Sequence, residues 1–170
     1  NLKNKMNSKI WLSSPHMGGT ERKFVTEAFD TNWIAPLGPN VNGFEQDLES
    51  YLLEDSFVAC LISGTAGIHL ALRLAGVSVE DEVLCQSFTF VATANPIIYQ
   101  GAVPIFIDSE LETWNMCPIA LEEAILDRIS KGKKPKAILV VHLYGMPAKI
   151  IEIAAIAKKY DIALIEDAAE

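Results

Sequence analysis

At 170 residues and half hydrophobic by composition, the chain carries enough apolar side chain for the core of one ordinary domain. A formal net charge of −8 argues against nucleic acid as a partner, and the basic cluster Lys131-Gly132-Lys133-Lys134 reads as a solvated helix end. No apolar run approaches the roughly 20 residues of a membrane span, and the polar stretch 1–9 lacks a signal-peptide apolar region, so a cytoplasmic location is expected. Cys60, Cys85 and Cys117 have no paired metal spacing. They read as reduced and structural, and no metal site is expected.

In chain order, Gly18-Gly19-Thr20 leads into 21–30, where Phe24, Val25, Ala28 and Phe29 fall at helical spacing with Thr20 as a cap. The run Asn32-Trp33-Ile34-Ala35-Pro36-Leu37-Gly38-Pro39-Asn40 mixes turn formers with an aromatic and reads as a loop with bulk. Residues 43–53 return to helix, with Phe44, Leu48, Tyr51 and Leu52 on one face. The apolar run Val58-Ala59-Cys60-Leu61-Ile62 then reads as a strand, broken by the turn Ser63-Gly64-Thr65-Ala66-Gly67 and followed by a helix to Ala75.

From there strands at 82–86, 103–108, 136–142 and 162–167 alternate with helices at 91–99, 119–130 and 150–159. Nearly all-apolar strands alternating with helices predict an α/β fold, a mainly parallel sheet buried on both faces. Ligands of such sheets sit beyond the carboxyl ends of the strands. Those ends deliver Ser63-Gly64-Thr65, Ser87-Phe88-Thr89-Phe90, Asp108, His142-Leu143-Tyr144-Gly145 and Asp167-Ala168-Ala169-Glu170 toward one pocket.

At the first of these ends, Gly64 permits a tight turn and the first-turn amides of the following helix would suit a phosphate. The plainer alternative is that Ser63 or Thr65 caps the helix. Asp167, an acid at a buried strand end, needs a partner, and a protonated pyridine nitrogen would serve; a helix cap or a Mg²⁺ ligand are the alternatives. Phe90 offers a flat surface for a heteroaromatic ring or is simply core, and His69 reads as packing.

The runs Ser63-Gly64-Thr65-Ala66-Gly67-Ile68-His69-Leu70-Ala71-Leu72, Ser87-Phe88-Thr89-Phe90-Val91-Ala92-Thr93-Ala94-Asn95, Val141-His142-Leu143-Tyr144-Gly145 and Glu166-Asp167-Ala168-Ala169-Glu170 closely resemble the DegT-like sugar-nucleotide aminotransferases, fold-type-I pyridoxal phosphate enzymes. Gly38-Pro39 before Phe44-Glu45 adds a fifth motif, and the resemblance covers residues 10–170. It implies the three-layer large domain of the aspartate aminotransferase-like fold over 58–170, preceded over 1–57 by helices and a loop at the substrate and subunit boundary. It further implies that the turn at Gly64 and the amides of Thr65 and Ala66 hold the cofactor phosphate, that Phe90 stacks on the ring, that Asp167 pairs with the pyridine nitrogen, and that Glu170 lies beside the ring. Trp33 and Gly38 belong to the substrate loop; His142 and Tyr144 belong to the signature without an assigned role. A homodimer with a shared active site, a nucleotide-linked keto-sugar substrate and glutamate as amino donor follow from the same resemblance.

In the family the lysine that carries the cofactor lies downstream of the motif ending at Glu170, ahead of a smaller C-terminal domain, and neither is in this sequence. The chain is therefore expected to be the amino-terminal part of a longer aminotransferase, inactive alone. A sugar dehydratase with histidine in place of that lysine, or a catalytically silent fragment, are the alternatives. Association through the apolar loop 33–40 is expected.

Overall fold

The computed structural model describes Trp11, residues 14–52 and residues 56–170. The expected features of residues 1–9, and Leu53 at the end of the second expected helix, lie outside the described residues. The chain divides into two compact units, Asn1–Cys60 and Leu61–Glu170.

The first unit holds helices α1 (Glu21–Asp30) and α2 (Pro39–Leu52). Thr20 makes no side-chain cap to α1. Instead the Glu21 carboxylate accepts the Gly18 and Gly19 amides, a negative charge at the positive end of the helix. The second helix starts at Pro39 rather than at Gly43, because the fixed φ of proline and its missing N–H suit a first helical position. Between the helices the Trp33 ring lies against Gly38, whose φ is +138° and whose Cβ, if it had one, would meet Trp33 Cε3 at 2.9 Å. A glycine is required there both for its conformation and for its space.

The apolar run at residues 58–62 is not a strand. A strand needs a backbone neighbour, and here the alternate amides are taken by side chains of α2: Val58 N–H donates to Glu49 Oε1 at 3.0 Å and Cys60 N–H to Glu45 Oε1 at 2.7 Å. Cys60 is exposed, which also removes it from the structural cysteines.

The second unit runs α3 (Gly64–Leu74), β1 (Glu82–Gln86), α4 (Asn95–Tyr99), β2 (Val103–Ile107), α5 (Pro118–Ser130), β3 (Ala137–Val141), α6 (Ile150–Tyr160) and β4 (Ala163–Asp167). The helix expected from residue 91 begins only at Asn95, after turns at 91–94, because Pro96 is tolerated in a first turn and not in a helix interior. Among the described residues four strands form one wholly parallel sheet in the order β2-β1-β3-β4.

Alternation along the strands sends residues to two separate cores. Leu84, Ile138 and Val140 face α5 and α6 with Leu121, Ile125 and Ile153. Val83, Cys85, Ala137 and Leu139 pack with Ile68 and Leu72 of α3 and Ile97 of α4. Both faces are covered, which explains why the central strands β1 and β3 are buried at every position. Burial pushes the Cys85 thiol up to about 12, so it stays an inert core thiol.

Candidate functional site

The strand order fixes where a ligand can enter. From β1 the chain steps to one side to reach β2, then crosses back to β3 on the other side, so connections leave the carboxyl ends of β1 and β3 in opposite directions. A crevice opens at that switch point. It is a cleft of about 250 Å³ whose lining includes Gly64, Thr65, Thr89, Phe90, His142, Asp167 and Glu170. Five of the expected cofactor residues, Gly64, Thr65, Phe90, Asp167 and Glu170, are thus brought together from α3, the loop after β1 and the end of β4.

Ala66 is not among the lining residues. Ser63 caps α3: its Oγ accepts the Ala66 N–H at 3.2 Å, and the first intrahelical bond runs from Gly67 N–H to the Ser63 carbonyl. The first-turn donors left for a ligand are the amides of Gly64 and Thr65, at the positive end of the helix dipole. A Cβ at Gly64 would meet no atom within 4 Å, so the missing side chain leaves that part of the cleft open.

Asp167 ends β4, in register with Val141 of β3. Its Oδ1 accepts the Ala169 N–H at 3.3 Å and its Oδ2 the Thr93 hydroxyl at 3.4 Å, both long, which leaves lone pairs on a half-buried carboxylate for a cationic partner. Thr93 is fully buried and pairs in turn with Thr89 through their hydroxyls at 2.9 Å. Phe90 is 75% exposed, so it is not core; its ring is free for a flat ligand. The Thr89–Thr93 pair escaped sequence reasoning, since a threonine four residues past another in an apolar run carries no distinguishing signal.

His142 acquires a definite geometry. The Ala148 N–H donates to Nδ1 at 3.0 Å, which leaves Nε2 to donate to Glu166 at 3.0 Å and fixes the tautomer. A smaller cleft of about 170 Å³ adjoins the first, sharing Thr89, Phe90, Leu143 and Glu170 and adding Phe88 and Tyr144. Phe88 meets Trp114 and Tyr144 edge-on at ring distances of 6.2 and 6.5 Å. Trp33 and Gly38, the expected substrate residues, belong to the first unit, where they touch each other.

The residues that meet at this cleft are those of the sequence motifs, and residues 15–170 match the DegT/DnrJ/EryC1/StrS aminotransferase family. The chain belongs to that family. EpsN of Bacillus subtilis, named as a pyridoxal phosphate-dependent aminotransferase, is 55% identical over 165 residues, 97% of this chain and 42% of EpsN. GDP-perosamine synthase of Caulobacter vibrioides is 36% identical over 95% of the chain and 42% of its own length. The PLP-form structure of a protein named as a sugar aminotransferase, from Streptococcus pneumoniae, superposes with a TM-score of 0.82 at 27% identity, covering 96% of this chain and 43% of that one. This DegT-family chain therefore spans about two fifths of the length of the curated relatives it matches, and its parallel three-layer unit is the aspartate aminotransferase-like fold of its neighbours. Among the described residues no helix is long and apolar enough to cross a membrane.

Proposed function

We propose that the cleft binds pyridoxal 5′-phosphate for an aminotransferase acting on a nucleotide-linked keto-sugar, with glutamate as the amino donor. The observation that carries the reading is the convergence of Gly64, Thr65, Phe90 and Asp167 on one cleft. The donor set fits the group. Two orphan amides and the open space at Gly64 suit a phosphate, the exposed Phe90 ring suits a flat heterocycle, and the Asp167 carboxylate has capacity for a protonated ring nitrogen. When bound, pyridoxal phosphate supplies an electron sink for the carbon that exchanges its amino group.

Each residue of this chain has a part in that scheme. Gly64 and Thr65 hold the phosphate at the head of α3. Asp167 keeps a proton on the ring nitrogen, and the long Thr93 contact aims its carboxylate without neutralising it. Phe90 covers one face of the ring, and Glu170 lies at its side. Trp33 and Gly38 shape the sugar-binding loop, which in this reading is completed at a homodimer boundary; the exposure of Trp33, Ile34 and Leu37 supports this. The nucleotide-sugar substrate is supported by the kinship with GDP-perosamine synthase. Residues 1–57 serve as the substrate and subunit boundary and 58–170 as the cofactor-binding domain.

Among the described residues no lysine lines the cleft. The proposal for this chain is accordingly binding and orientation of the cofactor, with the lysine that carries it supplied elsewhere in the parent enzyme. Titration with pyridoxal phosphate, followed by borohydride reduction and peptide mapping, tests it: saturable binding reversed by dialysis, with no single stoichiometric phosphopyridoxyl-lysine, is expected. Absence of saturable binding would refute the cleft, and one stoichiometric adduct would refute the division of labour.

A further inference from the structure

We infer that Gln86 and Asn115, two fully buried amides outside the cleft lining, are positioning residues that hold the loops after β1 and β3 in the geometry of the cleft. The backbone ladder between β1 and β3 ends at Cys85 opposite Leu139, where the two connections begin to diverge. Beyond that rung the bonds are made by side chains. Gln86 Oε1 accepts the Val141 N–H at 3.0 Å and Gln86 Nε2 donates to the Phe88 carbonyl at 3.0 Å. Asn115 Oδ1 accepts the Leu143 N–H at 3.0 Å and Asn115 Nδ2 donates to the Met146 carbonyl at 2.7 Å. The two amides meet, with Gln86 Nε2 at 3.5 Å from Asn115 Oδ1.

The orientation of each amide follows from its backbone partners: a flipped group would set NH₂ against N–H and oxygen against carbonyl. Both residues are 0% exposed, so water cannot replace the bonds. Four backbone groups of the segments 88–90 and 141–146 are thereby anchored to one point at the switch of the sheet. Of the residues that line the cleft, Thr89 and Phe90 directly follow the Phe88 anchor, His142 lies between the Val141 and Leu143 anchors, and Leu143 is itself anchored. A primary amide carries its donor NH₂ and its acceptor oxygen on separate atoms of one planar group, which suits a junction between a carbonyl and an N–H of diverging loops.

The consequence for ligand binding rests on the proposed cofactor site; the consequence for the loops does not. The test is amide hydrogen exchange on the unliganded full chain, carrying Gln86→Met and Asn115→Leu, which keep approximate shape and delete the bonds. Peptides covering 141–146 are expected to exchange about tenfold faster or more, because the Val141 and Leu143 amides lose their buried acceptors, and peptides covering 87–90 faster as the Phe88 carbonyl loses its anchor. Ile125→Ala, a core substitution in α5, serves as a control for lost stability and should leave those peptides near wild type. Should the Met variant not fold, Gln86→Glu replaces it; this retains the acceptor toward Val141, loses the donor toward Phe88, and should loosen 87–90 more than 141–146. Exchange unchanged in both segments, or raised no more than by Ile125→Ala, would overturn the inference. A second arm measures pyridoxamine phosphate affinity, expected to fall in the amide variants and not in the control. Wild-type chain that fails to bind counts against the cofactor reading alone, and the exchange arm still decides this one.

Discussion

Arg128 reaches from the last turn of α5 to Glu82 at the start of β1, donating through Nε at 2.8 Å and Nη2 at 2.6 Å to a carboxylate that is 4% exposed. The Arg128 hydrogen bonds hold the Glu82 carboxyl below its usual range, against the opposing effect of burial. A carboxyl depressed on folding contributes stability that is present above its unfolded pKa and is lost as pH falls through the folded one. Glu82→Gln should therefore lower the urea midpoint at pH 7, with an effect that shrinks as the pH falls through the depressed range of the folded carboxyl, which chemical denaturation across an acid pH series measures. Glu110 acts the same way further down: the Thr113 hydroxyl, two backbone amides and Lys149 bring it to about 2, so its contribution survives to more acid conditions. The Glu82–Arg128 pairing is not legible in sequence, because the two are 46 residues apart and meet only through the packing of α5 on the sheet. Asp167 and Phe90 were legible because strand ends in a parallel sheet are forced to one side. The Ala66 amide, expected to face the phosphate, donates to the Ser63 hydroxyl for a local reason, the helix cap, which leaves the Gly64 and Thr65 amides as the first-turn donors.

Helix α3 joins the cleft to the core, since Ser63 caps its start while Ile68 and Leu72 bury its inner face. Ser63→Ala should cost about 1 kcal/mol of stability, the usual value of an N-cap, and Leu72→Ala about 2–5 kcal/mol, both readable by urea denaturation. Period and length made the strands β1 to β4 legible to within two residues at each end: β1 and β3 are buried at every position, and the half-exposed edge strands β2 and β4 carry the same short apolar runs. The same rule failed at residues 58–62, which are equally apolar. Composition reports what a segment could bury and not whether a neighbour takes its amides, and Glu45 and Glu49 took them here. Pro96 and Pro39 displaced helix starts in opposite directions by one mechanism, the fitness of proline for a first turn.

At the scale of the molecule, the chain leaves Phe24, Phe29, Trp33, Ile34 and Leu37 of its first unit exposed alongside Phe88, Phe90, Trp114 and Tyr144 around its clefts. Surfaces of that kind prefer a partner. Self-association that grows with concentration is expected by sedimentation velocity, and a monodisperse monomer at high concentration would argue against the dimer-boundary role of the 33–40 loop. The central claim is that strand topology delivers a carboxylate to a cofactor's ring nitrogen. It is tested most directly by titrating pyridoxamine phosphate into the wild-type chain and into Asp167→Asn, which removes the charge and keeps the shape. Saturable wild-type binding and about a tenfold or greater loss in the variant are expected, the scale of a charge-assisted hydrogen bond. Equal affinities, with both proteins folded, would contradict it.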